Sequence, residues 1–344
     1  MPEATLQRYD AASALLQRQM YRADSEILER SSNLDSDSSV FFARQLEYVK
    51  ARTYDKRYPE LKARALIPVS NEGGPGIDSI TYYQYDMFGL AKLIGAIASD
   101  LPRADIRGKM FTAPVHEAGD SYSYTLRDIA RARFAGLPLE QRKANAALRA
   151  IEELVNRIAL FGDADHNLPG FFSQPNVPAE AVANTGAGNT TQWINKNPNQ
   201  ILADMNACAN AVTANTKGVE QPDTLLLPLD QFNYVSSTPR SDVSDTTILD
   251  FFLENNPYVK SVEWLNELKY DPSIPGSGAS LLGFNENMMI AYRRDPDKIE
   301  LRIPQDFEQL PVEPRGLEFI INCHLLIGGC VMAYPLSANF AYGI

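Results

Sequence analysis

The sequence predicts a mixed α+β fold, because a long amphipathic helix is flanked on both sides by strand-like segments. The helix is predicted over residues 138–161, where apolar side chains recur every three or four positions. At about 1.5 Å per residue it would be about 36 Å long and would need a packing partner along its whole length. The apolar positions that define its face are Ala144, Leu148, Ile151, Val155 and Ile158.

Composition sets limits on the kind of protein this is. The chain has 344 residues, of which 44% are hydrophobic and 22% charged, as in ordinary globular proteins. Its net charge of −11 argues against a protein built to grip nucleic acid through its phosphates. No apolar run is long enough for a membrane span, and the N-terminus has no signal-peptide pattern. Three cysteines without zinc-type spacing indicate free, buried thiols in a reducing compartment.

The first 60 residues are helical in tendency but carry few apolar residues for a core. A polar linker rich in Ser and Asp, at 31–39, interrupts the pattern. We therefore expect residues 1–60 to form an extended arm that gains its stability from neighbouring molecules.

Strand patterns begin after this arm. Residues 65–89 contain a strand, a Gly/Pro turn and a second strand with alternating Ile80, Tyr82 and Tyr85. A long, charged segment with modest apolar content follows at 91–115, and the chain then returns as a strand from His116. A loop of this length between two strands is usually functional when a fold retains it.

The chain after Gly162 is predicted to hold an inserted α/β domain followed by closing strands. The turn Asp295-Pro296-Asp297 predicts that the segments on either side of it, MMIAYRR and KIELRI, pair as a hairpin. The last segment, GLEFIINCHLLIGGCVMAYP, is predicted to form a long apolar strand run. We expect the strands before and after the insertion to share one sheet.

The sequence contains no recognisable catalytic or metal-binding motif. The three histidines, His116, His166 and His324, lack zinc-site spacing, and no phosphate-binding loop or nucleophile elbow is present. Asp163, Asp165 and Asn167 resemble the start of a calcium loop, but its glycine and final glutamate are missing, so a solvated turn is expected. These features predict a structural protein without cofactor or metal.

Five tyrosines lie at alternating positions of the predicted strands, which allows two interpretations. They could form an aromatic binding platform, but tyrosines on paired strands more often serve sheet packing. The five are Tyr82, Tyr83, Tyr85, Tyr122 and Tyr124.

Four stretches resemble the major capsid proteins of tailed phages and the related encapsulin shells, which share the Hong Kong 97-like fold. LPLEQRKANAALRAIEELVNRIALFGDADHNLPGFF resembles the spine helix of that family and the Gly-Phe segment after it. VSNEGGPGIDSITYYQYDMFGLAKLI through GKMFTAPVHEAGDSYSYTLRDI resembles its extended loop with two supporting strands. MMIAYRRDPDKIELRI and GLEFIINCHLLIGG resemble the closing strands of its peripheral domain.

The resemblance implies an α+β Hong Kong 97-like phage capsid fold. It divides the chain into an N-terminal arm, a peripheral domain with an extended loop and a long spine helix, and an inserted axial α/β domain. The implied boundaries are 1–60 for the arm, 61–90 for the first part of the peripheral domain, 91–114 for the extended loop, 115–170 for the peripheral domain with the spine helix at 138–161, 171–285 for the axial domain, and 286–344 for the closing strands of the peripheral domain.

The resemblance also implies a function: self-assembly, through hexamers and pentamers, into the icosahedral head shell of a tailed phage. Portal, scaffold or decoration proteins and packaged double-stranded DNA, bound without sequence specificity, would be its partners. It would be made in the host cytoplasm and reside in the virion. Two alternatives remain: an encapsulin-like compartment, and an enzyme whose site would involve Asp163, Asp165 and His166. The implied subunit-interface residues lie on the extended loop: Lys92, Leu93, Ile97, Arg103, Ile106, Arg107 and Lys109.

Some shells of this fold carry a covalent bond between a loop lysine and a neighbour's asparagine. Lys92 and Lys109 would be the lysines here, and Asn322 and Asn339 the asparagines. Such a bond needs an uncharged amine in a dry pocket, whereas the loop around both lysines is highly charged. We therefore predict that no cross-link forms.

Overall fold

The computed structural model describes residues 58–91, 103–135, 139–241 and 245–344. The compact unit of the chain begins at Glu60. The predicted arm therefore lies, up to position 57, outside the described residues. Within the described residues, no helix is both long enough and apolar enough to cross a membrane.

The described residues contain six α-helices and fourteen strands, with four strands before α2 and seven at the C-terminal end. The helices are α1 (Ala63–Leu66), α2 (Leu126–Ala135), α3 (Leu139–Phe161), α4 (Pro198–Asn215), α5 (Leu229–Ser237) and α6 (Ile248–Asn255). The strands are β1 (Val69–Ser70), β2 (Ser79–Phe88), β3 (Asp105–Pro114), β4 (His116–Thr125), β5 (Ala179–Ala181), β6 (Thr224–Leu227), β7 (Ser261–Trp264), β8 (Met288–Tyr292), β9 (Ile299–Arg302), β10 (Gln305–Gln309), β11 (Glu313–Arg315), β12 (Glu318–Ile327), β13 (Cys330–Met332) and β14 (Ala338–Tyr342).

Helix α3 confirms the predicted long helix almost to the residue. Its 23 residues make it about 35 Å long. Ile151, Val155 and Ile158 are buried in the main core, as their spacing predicts. Leu148, which the pattern placed on the same face, is 39% exposed, so the buried stripe covers mainly the C-terminal half of the helix.

The chain reverses direction directly after α3. Gly162 adopts a left-handed conformation with φ of 78°, which ends the helix. The backbone then folds back so that the amides of Phe171 and Phe172 donate to the carbonyls of Ala159 and Leu160, each at 2.8 Å. Both phenylalanine rings are buried, which anchors the C-terminal end of the helix in the core.

A five-stranded sheet in the order β5-β14-β8-β6-β7 separates two hydrophobic cores. Ile290 on β8 faces the core that contains α3, whereas its neighbours Met289 and Ala291 face the core formed with helices α4 and α6. Strands β6 and β8 are buried along their whole length because both faces of the sheet are covered.

Strands from the two ends of the described chain do share a sheet, as predicted. Strand β4 pairs antiparallel with β12 over ten residues, and α3 packs against β4. Strands β10 and β11 pair with the other edge of β12. A smaller sheet joins β1, β9 and β13.

The predicted hairpin around Asp295-Pro296-Asp297 is wrong. Strand β8 pairs with β6 and β14, whereas β9 pairs with β1 and β13. The turn therefore connects two different sheets rather than two neighbours in one sheet. The strands of the segment 286–344 are therefore divided between sheets: β8 and β14 complete the sheet of the insertion, and β9 to β13 belong to two other sheets, which also contain β1 and β4.

The segment expected as a loop at 91–114 ends in a regular strand. Strand β3 pairs with β2 over ten residues, and these two strands form a sheet of their own. Strand β2 lies within 61–90, the segment expected to be the first part of the peripheral domain. It nevertheless pairs with β3, which lies in the segment at 91–114, and so forms part of the same hairpin. Local composition missed this because the charged residues of β3 alternate with apolar ones on a strand that is exposed on both faces.

Candidate subunit interface

Strands β2 and β3 form a long, largely exposed hairpin, called the hairpin below. Ten residue pairs hold its strands together, from Ser79 with Pro114 at its root to Phe88 with Asp105 near its tip. A two-stranded ribbon cannot build a hydrophobic core of its own. Its side chains must therefore be explained by what they meet outside the ribbon.

One face of the hairpin is apolar and open to solvent. Since side chains alternate along a strand, residues paired across the two strands share a face. Tyr83 is paired with Met110, and Met87 with Ile106, while Tyr85 is paired with Gly108 between them. The ring of Tyr85 lies over Gly108, where an added Cβ would meet ring carbon Cε1 at 3.0 Å. The five side chains of this apolar face, each 60% to 80% exposed, are Tyr83, Tyr85, Met87, Ile106 and Met110.

The opposite face of the hairpin carries charges that are matched within the ribbon. Asp86 is paired with Arg107, whose guanidinium carbon lies 4.9 Å from the centre of the Phe88 ring. The ammonium of Lys109 lies 4.7 Å from the centre of the Phe111 ring. These contacts hold the cations against the hairpin and leave the apolar face as its unpartnered side.

The structure locates four of the seven predicted interface residues. Arg103 is exposed just before β3, Ile106 lies on the apolar face, and Arg107 and Lys109 lie on the charged face. The remaining three predicted residues lie outside the described residues: Lys92, Leu93 and Ile97.

Sequence reasoning missed the aromatic and methionine half of this surface. Tyr83 and Tyr85 are exposed, and their ring centres lie 6.4 Å apart in a stacked arrangement. Tyr124 is buried and Tyr122 packs against the main core, so both belong to the body, by which we mean the described residues outside the hairpin. The tyrosines that had been grouped together thus divide into sheet packing and an exposed face. The available signal was the alternation Tyr83, Tyr85 and Met87, which matches that of β3 once the two strands are paired.

The residues considered for an enzyme site form a local turn after α3. The imidazole Nδ1 of His166 lies 2.8 Å from Asp163 Oδ2, and the amide of Asp165 donates to the same carboxylate at 3.0 Å. The hydrogen bond with His166 is the main cause that holds the pKa of Asp163 below its usual value. Asp165, His166 and Asn167 are exposed, so this is the solvated helix-end turn that was expected. No three His, Cys, Asp or Glu residues among those described are placed to hold a metal ion.

The asparagines considered for a cross-link lie in different environments. Asn339 on β14 is buried, and its side-chain amide is 3.5 Å from the carbonyl of Cys208. Asn322 on β12 lines an open depression of about 570 Å³ together with Glu117 and His324. Within the described residues, only Asn322 of the two could be reached from outside.

An exposed apolar ribbon attached to a well-packed body is what a subunit of a larger assembly requires. A model of the family described as major capsid protein matches residues 89–344, well over half of the chain. The chain belongs to the major capsid protein family. It is therefore a structural protein of a phage head shell, located in the virion, and the encapsulin-like alternative is not favoured.

Solved capsids share the fold of this major capsid protein. The capsid of Myoviridae phage XM1 matches with a TM-score of 0.73 at 17% identity, covering 90% of this chain and 100% of that one. The capsid of an empty GTA particle matches with a TM-score of 0.59 at 12% identity, covering 90% and 99%. Mycobacterium phage Ogopogo matches with a TM-score of 0.56 at 13% identity, covering 86% and 96%. No curated protein matches the sequence of this chain.

Proposed function

We propose that this major capsid protein assembles by packing the apolar face of its hairpin against a neighbouring copy. The single observation that supports the proposal is the exposure of five large apolar side chains on one face of a two-stranded ribbon. Burying one such side chain contributes about 1.5 to 3 kcal/mol. A face of this size would be an aggregation hazard on a protein that remained a monomer.

The distribution of charge fits the same assignment. The cations Arg107 and Lys109 are held against aromatic rings of their own hairpin, and Asp86 faces Arg107 across the ribbon. The apolar face gains free energy from every contact that excludes water, whereas the charged face can remain in solvent. Ile106 would lie on the face of this contact and Arg103 at its edge. We assign the three remaining predicted residues to the same proposed surface: Lys92, Leu93 and Ile97.

Copies of this chain are its principal proposed partners, in hexamers and pentamers that close the shell. A portal protein and scaffold or decoration proteins are further proposed partners. We also propose that the protein is synthesised in the host cytoplasm and has no catalytic activity. Packaged double-stranded DNA would be enclosed without sequence-specific contacts. The net charge of −11 supports this last assignment, because an acidic subunit limits adhesion to a genome that must later leave the shell.

The test replaces Met87, the most exposed of the five side chains on the apolar face. Met87→Asp places a carboxylate at the predicted contact, whereas the control Met87→Leu keeps the position apolar. We expect both purified subunits to have the same melting temperature, because Met87 is exposed in the unassembled subunit.

Only Met87→Leu should form shells visible by electron microscopy under conditions in which the wild-type protein assembles. Normal particles from Met87→Asp would show that the apolar face is not a subunit contact. Failure of the wild-type protein itself to form shells would contradict assembly from copies of this chain alone.

A further inference from the structure

The root of the hairpin rests on a buried cation. Arg302, the last residue of β9, has a side chain that is only 6% exposed. Its guanidinium carbon lies 5.1 Å from the centre of the Tyr82 ring, on the charged face of the hairpin. The other side of the guanidinium is held by Glu300, with Nε 2.6 Å from Oε1.

This contact is the first layer of a stack that continues into the hairpin. The rings of Tyr82 and Phe111 stack at 5.3 Å with their planes 15° apart, and Lys109 lies over Phe111. Each of the two stacked rings thus has a cation over it: Arg302 over Tyr82 and Lys109 over Phe111. Cation–π attraction is strengthened where the cation is removed from water, as Arg302 is.

The guanidinium has little alternative to the ring. Its Nη1 is buried and lacks a hydrogen-bond partner among the described residues, so the contact with the Tyr82 ring is one of the few attractions that offset the burial of this cation. Burial of the ring is also the main cause that raises the pKa of Tyr82. The pairing of Arg302 with Tyr82 is thus costly to break.

A close backbone contact lies beside the stack. An added Cβ on Gly328 would lie 3.1 Å from the Cβ of Arg302 and 3.4 Å from Cγ2 of Val115. The amide of Val115 donates to the carbonyl of Asp78 at 2.9 Å, which closes the root of the hairpin. The absence of a side chain at Gly328 lets β9 approach this root closely.

Beyond this root, a groove separates the hairpin from the rest of the described residues. This groove of about 530 Å³ separates Tyr82, Lys109 and Phe111 from Pro169 and Met332 on the body. The groove leaves space for the hairpin to tilt, so its direction depends on the contacts at its root. Ten residues at about 3.3 Å each make the ribbon a lever of about 33 Å, and a tilt of about 5° would move its tip by about 3 Å.

We propose that Arg302 is a positioning residue for assembly: by holding the Tyr82 ring, it fixes the angle at which the hairpin leaves the body. This inference rests on the proposed function, since the angle matters only if the hairpin contacts a neighbouring copy. In a shell, that angle sets how successive copies are oriented. A change at the stack therefore alters the curvature and diameter of the particles, and not only their yield.

The test compares two substitutions of the same ring. Tyr82→Phe keeps the aromatic face, whereas Tyr82→Leu keeps apolar volume but offers no π face to the guanidinium. We expect Tyr82→Phe to form particles of wild-type diameter. Tyr82→Leu should form open sheets or particles of mixed diameter, with the fraction of closed wild-type particles at least threefold lower. Melting temperatures of the unassembled subunits separate this effect from a loss of stability.

A second variant keeps the test decisive if Tyr82→Leu does not fold. Arg302→Lys retains the positive charge but loses the planar guanidinium, and we expect the same mixture of diameters. Particles of wild-type diameter from Arg302→Lys, and also from Tyr82→Leu if that variant folds, would overturn the inference. Absence of shells from the wild-type protein would instead contradict the proposed function, so the two failures can be told apart.

Discussion

The ammonium of Lys196 lies 2.6 Å from Oδ2 of Asp204, and neither side chain is more than 4% exposed. The same carboxylate oxygen accepts the indole N–H of Trp193 at 3.1 Å, and Lys196 also donates to the carbonyl of Ala183 at 2.7 Å. Together these bonds attach the loop before α4 to that helix. Burial raises the pKa of the Asp204 carboxyl, and the bonds from Lys196 and Trp193 oppose this effect.

Removing the cation of this pair should destabilise the insertion. Lys196→Met leaves Asp204 buried without its partner, a change that typically costs about 3 to 5 kcal/mol. A carboxyl whose pKa is raised in the folded state binds more protons there than in the unfolded chain. The stability of the variant should therefore fall further as the pH rises above about 4.

Chemical denaturation at pH 5 and pH 8 checks this prediction. The control is Lys260→Met, which removes an exposed lysine from the same part of the fold. Equal losses from both variants, or a loss that does not grow with pH, would contradict the assigned role of the pair.

A carboxylate in the buried stripe of α3 should prevent assembly by unfolding the core. Ile151 is 2% exposed, so Ile151→Asp buries an unpaired polar group at a cost of several kcal/mol. Leu148→Asp, three residues earlier on the same helix, is the matched control because Leu148 is partly exposed. Soluble yield and melting temperature should fall sharply for Ile151→Asp only. Similar melting temperatures for the two variants would mean that the helix does not bury this stripe.

Arg64 joins α3 to strand β10 through two carboxylates. Its guanidinium contacts Glu152 at 3.1 Å and Asp306 at 2.9 Å, and the hydrogen bond from Arg64 is the main cause that lowers the pKa of Asp306. A lowered carboxyl pKa stabilises the fold at pH values above the unfolded value of about 3.9, and this stabilisation is lost as the pH falls through the folded value.

Asp306→Asn should therefore cost less than about 1 kcal/mol near neutral pH, since the Asp306 side chain is 60% exposed. The difference from the wild-type protein should shrink below pH 4. Asp297→Asn, at an exposed turn, is the control and should show no such pH dependence. A difference that persists unchanged to pH 2 would exclude this role for Asp306. Acid titration followed by circular dichroism measures it.

We predict that mature particles carry no lysine–asparagine cross-link. Lys109 lies on the exposed hairpin over an aromatic ring rather than in a dry pocket, and Asn339 is buried within its own subunit. Denaturing electrophoresis of purified particles in reducing buffer should give one band near 38.2 kDa. A ladder of covalent multimers would refute the prediction.

Local periodicity was enough to predict the elements whose conformation depends on residues close in sequence. The apolar repeat of α3 and the left-handed stop at Gly162 are both properties of neighbouring residues, and both are confirmed. The pairing of strands before and after the insertion was also predicted, since β4 and β12 are long strands at the two ends of the described body. The resemblance to capsid proteins rested on this order of elements and is confirmed by the family match.

Strand partners and side-chain exposure were decided by the tertiary structure. A short turn such as Asp295-Pro296-Asp297 favours a hairpin locally, but β8 is buried on both faces between β6 and β14, and this burial outweighs the turn.

By itself the sequence determined that Tyr82, Tyr83 and Tyr85 lie on one strand, with Tyr82 on one face and Tyr83 and Tyr85 on the other. It could not tell which of them faces Arg302, more than 200 positions away, and which faces solvent. The reason is physical: alternation within a strand specifies two faces, whereas the identity of each face depends on contacts between distant segments, which no local spacing records.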